Sequence, residues 1–110
     1  MIRCDAIWLC TQTTDMRYGM DTLLAQVIKT FGIAKPHHVY LFSNAKNTRI
    51  KAIVHDGFGI WLASRRLNQG KFIWQRTSNG NIQLNPEQFD ALILGLPWQQ
   101  LSLYSNMKCI

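Results

Sequence analysis

Acidic residues are scarce in this 110-residue chain: six, against twelve lysines and arginines. They are Asp5, Asp15, Asp21, Asp56, Glu87 and Asp90. Local roles absorb three. Asp21 stands where a helix N-cap is wanted, Asp56 in a turn, and Glu87 in the first turn of a helix, where a negative charge suits the dipole. The remainder supplies neither paired carboxylates for acid–base catalysis nor a two-metal nuclease centre. The three cysteines, Cys4, Cys10 and Cys109, form no CxxC pair, and His37, His38 and His55 add no zinc spacing. An odd, unpaired set of thiols reads as reduced, which points to the cytoplasm. Apolar runs stop far short of the roughly 20 residues that cross a bilayer. The opening MIRCDAIWLC carries an acid and lacks the apolar stretch of a signal peptide. No phosphate loop is present either, because no helix follows HDGFG (residues 55–59). The histidine pair beside Pro36 reads as loop, and Cys10 with distant histidines is a generic coincidence. No catalytic residue, metal site or cofactor is therefore assigned.

What the chain does have is apolar residues and misplaced positive charge. Hydrophobic residues make up 47%, which suits a single globular domain over residues 1–110 with one core. Seven cations lie between Lys46 and Arg76: Lys46, Arg49, Lys51, Arg65, Arg66, Lys71 and Arg76. Only Asp56 opposes them there, and the rest of the chain balances, so this segment holds the whole net charge of +6. Such a strip attracts polyanions and is the electrostatic footprint of nucleic-acid binding; a solubilising surface gives the same composition. Trp61, Phe72 and Trp74 are interleaved with the cations. Aromatics so placed can stack on unpaired bases, but more often belong to the core.

Residues 6–11 (AIWLCT) read as a short buried strand. After a turn-like bridge, Asp21 is placed to cap a helix over 22–31, with Leu24, Val27, Ile28 and Phe31 on one face and Gly32 at the C-terminal stop. VYLFS (39–43), 49–55, 60–67 and 71–76 follow as strands separated by the turns NAKNT, DGFG and NQG. A turn at 78–80 and a short strand at 81–84 come next. Asn85, Pro86 and Gln88 then spell a capped helix start, with Phe89, Leu92 and Ile93 as its buried stripe and Gly95 and Pro97 as its end. Residues 102–110 are expected to be poorly ordered. The fold class that results is α+β: an antiparallel β-meander of about four to six strands, with two helices packed on one face.

If 56–59 is a four-residue loop, His55 faces Ile60, Ile53 faces Leu62, Lys51 faces Ser64 and Arg49 faces Arg66. Arg49, Lys51, Ser64 and Arg66 then cluster at the open end of the hairpin. Like charges directly opposite destabilise a sheet unless an anion sits there. A slip of one residue would exchange Arg65 for Arg66.

DMRYG (15–19), Asp21, VYLFSN (39–44), RIK (49–51), HDGFGIWL (55–62), RRLNQGKFIW (65–74) and QFDALILGLPW (88–98) occur in that order. The ordered set strongly resembles the small TnpB accessory proteins, or Orf2-like proteins, of the bacterial insertion sequence 66 group, from Asp5 to about Gln100. The resemblance implies a non-catalytic protein needed for efficient transposition. It also implies two partners from the same element, a large transposase and a second small protein, with strand-transfer chemistry residing in the transposase. Where many relatives have proline after the tryptophan matching Trp74, this chain has Gln75. The family supplies no site residues, so the candidate binding set remains the seven cations, with DNA, the transposase or both as their target. Two alternatives stay open: a purely protein–protein adaptor docking an acidic transposase surface, and a small nucleic-acid-processing enzyme.

Overall fold

The computed structural model describes residues 4–76 and 81–98. Its elements are β1 (Ala6–Thr13), α1 (Met20–Phe31), β2 (His38–Ser43), β3 (Arg49–His55), β4 (Ile60–Arg66), β5 (Asn81–Leu84) and α2 (Pro86–Ile93). The strands form one sheet in the order β4-β3-β2-β1-β5. The expected α+β class holds. The meander is present over β2, β3 and β4, each antiparallel to the next. β1 departs from it by running parallel to β2. The reason is α1: its twelve residues carry the chain back to the end where β1 began, as a parallel neighbour requires.

The helices lie on opposite faces of the sheet, not on one face as expected. Ile7, Leu9, Leu41 and Ile50 pack with Leu92 and Ala91 of α2. Their strand neighbours Cys10, Tyr40, Phe42 and Ile53 pack with Leu23 and Val27 of α1. Successive strand residues point to opposite faces. β1 and β2 are apolar at both parities, so each needs a cover on both sides. Phe31 adds an edge-on contact to Tyr40, with ring centroids 4.8 Å apart.

Some local expectations shift. α1 starts at Met20 with Gly19 as its N-cap and no side-chain cap, so Asp21 lies in the first turn. Its fully buried residues are Leu23 and Val27, while Ile28 is 50% exposed. Residues 71–76 form no strand. Phe72 and Trp74 are buried in the cluster on the α2 side. The Phe72 N–H donates to the Asn47 carbonyl at 2.7 Å and the Trp74 indole N–H to the Cys10 carbonyl at 2.9 Å. These bonds take the place of a ladder. The start of α2 matches the sequence reading: Asn85 accepts from the Gln88 N–H and Gln88 accepts from the Asn85 N–H, a complete capping box after which Pro86 opens the helix. Its expected buried stripe shifts: Leu92 is buried with Ala91 and Gln88, while Phe89 and Ile93 are half-buried. The expectations for residues 78–80 and 102–110 lie outside the described residues.

Candidate functional site

The β3–β4 hairpin positions most of the cationic strip. Of the two registers the sequence leaves open, the structure has the one that follows from a four-residue loop, with Arg49 opposite Arg66, Lys51 opposite Ser64, Ile53 opposite Leu62 and His55 opposite Ile60. A built loop fixes it. Asp56 Oδ1 accepts from the N–H groups of Phe58 and Gly59 at 2.8 and 2.7 Å, and Oδ2 accepts from the Trp61 indole at 2.7 Å. The Phe58 N–H does most to hold the Asp56 carboxyl below its usual pKa, followed by the Trp61 indole.

At the other end of the hairpin, Asn44 organises the turn before β3. Its Oδ1 accepts from the N–H groups of Thr48 and Arg49 at 2.9 and 3.1 Å. The Leu67 N–H reaches the Thr48 carbonyl at 3.0 Å and the Phe72 N–H reaches that of Asn47. The backbones that carry Lys46, Arg49, Arg66 and Lys71 therefore converge at this end. All four side chains are exposed, and none makes an ion pair among the described residues.

The other three cations are placed differently. Lys51 donates from Nζ to the Tyr18 carbonyl at 2.9 Å, on the α1 face. Arg76 donates to the Asn44 carbonyl and Asn47 Oδ1, both at 2.7 Å, and to the Thr11 carbonyl at 3.3 Å. Its guanidinium also lies 5.7 Å from the Trp74 ring centre. Burial lowers its pKa from the ordinary arginine value. Arg76 thus fastens residues 71–76 to the ends of β1 and β2. Arg65 sits opposite Ile50 on the α2 face, beside Phe89 and Ile93. The structure brings four of the seven together, ties two into the fold and turns one to the other face.

The aromatics divide in the same way. Phe72 and Trp74 are core, whereas Trp61 is 55% exposed and Phe58 at the hairpin tip is wholly exposed. Phe58 was not singled out in the sequence. The signal available was its position between two glycines in a loop too short to fold back over it.

No group of three or more His, Cys, Asp or Glu side chains among the described residues could hold a metal ion. His38 Nδ1 accepts from the Trp8 indole at 3.0 Å, and His55 Nδ1 accepts from the Gly57 N–H at 3.0 Å. Burial pushes the Cys10 thiol above its ordinary pKa, which disfavours the nucleophilic thiolate. Asp15 is taken up by Arg17, whose guanidinium bonds bring its pKa down to about 2. No helix among the described residues is long and apolar enough to cross a membrane.

A family model described as IS66 Orf2 like protein matches residues 5–103. Two proteins of Sinorhizobium fredii are similar over most of their length. Uncharacterized protein y4jC is 33% identical over 97 residues, which is 86% of this chain and 82% of that protein. Uncharacterized protein y4hO is 30% identical over 94 residues, 84% of this chain and 82% of that protein. No solved structure matches the chain.

Proposed function

The chain belongs to the family of IS66 Orf2-like proteins, accessory proteins associated with an insertion sequence, and on that premise we propose that it is a non-catalytic DNA-binding component of the transposition machinery. It works beside the large transposase and the second small protein of the element, and grips the phosphate backbone with the cluster of Lys46, Arg49, Arg66 and Lys71. One observation carries this reading: the segment that holds the whole net charge of +6 folds so that four cations, without an ion pair among the described residues, share one end of a hairpin. Arg49 directly opposite Arg66 is unfavourable in the free protein and favourable around an anion.

Affinity for a labelled element-end duplex, measured over a salt series, tests it. Four phosphate contacts give a slope of log affinity against log salt of about −3 to −4. An unrelated duplex should bind nearly as well, because contacts to phosphates carry no sequence information. Absence of binding at low salt overturns the DNA reading. The adaptor reading draws on the internal bonds of Lys51 and Arg76, which leave fewer cations for phosphates. A transposase pull-down that succeeds without DNA, in a protein that does not bind DNA, would select it.

A further inference from the structure

We propose that the α2-side face of the β3–β4 hairpin is a self-complementary interface through which two copies of this chain pair. Five strands spaced about 4.8 Å apart make a sheet roughly 20 Å across, and one helix covers about 10 Å of it. α2 packs with Ile7, Leu9 and Leu84 of β1 and β5, and its cluster reaches Leu41 of β2 and Ile50 at the near end of β3. The β3–β4 half of this face has no helix among the described residues. A groove of two adjoining hollows, of about 390 and 200 Å³, opens here; they share Ala52, Ala63 and Phe89, and the larger extends to Ala6, Val39 and Leu84 with Asp5 and Asp90 at its wall.

The shape of the groove selects a second copy as its occupant. Ala52 and Ala63 are directly opposite each other, so two small side chains make a notch across both strands. One pair further along, Val54 faces Trp61, and that indole stands 55% exposed on the same side. A knob therefore lies two residues, about 7 Å, from a notch on the same strand. A two-fold axis between them seats each Trp61 over the notch of the other copy, as an isologous contact requires. The same axis carries the charges into register. Arg65 lies two residues beyond Ala63, and the Asp56 loop lies about as far beyond Trp61. Pairing the hairpins antiparallel about that axis brings Arg65 of each copy to the acidic tip of the other. It also holds the two Lys46–Arg49–Arg66–Lys71 clusters at opposite ends, where their mutual repulsion is screened by salt. An acid beside Phe58, with no cation in that loop, suits the partner's arginine better than a phosphate.

The pairing is independent of the DNA reading, since only Arg65 of the seven cations takes part and no nucleic acid is needed. Sedimentation equilibrium of the full chain without DNA, from micromolar to millimolar concentration, should show twice the chain mass. Ala63→Arg fills the notch with a charged side chain at an exposed position and should weaken self-association at least about thirtyfold, the loss of one central anchor. Arg65→Glu places like charges together and should weaken it too, whereas Arg65→Lys should restore it. Circular dichroism of each variant separates misfolding from dissociation; if Ala63→Arg fails to fold, the Arg65 pair decides. A chain that is monomeric throughout, or a dimer indifferent to both sites, overturns the inference.

Discussion

Arg65 and Arg66 are adjacent in sequence and face different worlds. The register places Arg66 opposite Arg49 at the cationic end and turns Arg65 to Ile50 on the α2 face. Arg66→Gln should shallow the DNA salt slope by about one unit while Arg65→Gln leaves it unchanged. Neither change should lower the melting temperature at concentrations where the chain is monomeric, because each side chain is exposed and Arg66 opposes a like charge. Equal effects of the two on the slope would contradict the division of the strip. Arg76 should behave in the opposite manner. Its guanidinium bonds two carbonyls and one side-chain amide oxygen, and hydrogen bonds to charged groups contribute about 1.5–3 kcal/mol each at most. Water reaches this partly exposed site and compensates in part, so Arg76→Leu should cost about 1–3 kcal/mol in a urea titration. The excess charge was legible in the sequence, but its division was not. Whether a cation is free depends on carbonyls such as those of Tyr18, Thr11 and Asn44, which come near only through the fold.

At the scale of elements, a four-residue loop and the alternation of 49–55 narrow the hairpin to two registers one residue apart, and the choice between them rests on the bonds of Asp56 to Phe58, Gly59 and Trp61, which only the fold shows. Residues 71–76 show the limit of the same reasoning. Phe72 and Trp74 are buried with the period of two that the sequence shows; the pattern cannot say that no strand among the described residues pairs with the segment. The second cover for the sheet was legible in principle from the apolar residues of both parities in β1 and β2. In α2, the capping box predicts that Asn85→Ala costs about 0.5–2 kcal/mol. Leu92 is fully buried and Leu92→Ala should cost about 2–5 kcal/mol. Phe89 is only half-buried beside the groove, so Phe89→Ala should fall below the about 3–5 kcal/mol of a buried ring. Denaturant midpoints rank the three. The hairpin tip adds a pH dependence. Asp56 titrates lower folded than unfolded, so its stabilising effect is complete above the ordinary carboxylate range and is lost as pH falls through the depressed folded value. The Trp61 indole N–H resonance should hold steady from neutral pH down to that range and move only below it. Movement at or above the range would mean that the loop does not hold the carboxylate.

At the scale of the molecule, one sheet separates two apolar layers, and the separation has an energetic consequence. Ile53 belongs to the α1 layer and Ile7 to the α2 layer. They lie on strands two positions apart and point to opposite sides, with β2 between them. Two strand spacings alone put them about 10 Å apart. Neither shares a packed cluster with the other, so a cavity opened at one does not relax into the other. Ile7→Val and Ile53→Val should each cost about 0.5–1.5 kcal/mol, small enough to leave the double variant folded. Their effects should add to within about 0.5 kcal/mol. A pair within one layer, such as Ile53→Val with Val27→Ala, should depart from additivity, because the two side chains fill one cluster. The sheet nevertheless couples the layers in folding, since β1 and β2 contribute to both through alternate residues. One cooperative transition, seen alike by circular dichroism and by tryptophan fluorescence, is therefore expected even though the mutational costs add. Two separable transitions, or strong coupling between Ile7 and Ile53, would mean that the faces are not the independent layers their side-chain parity describes.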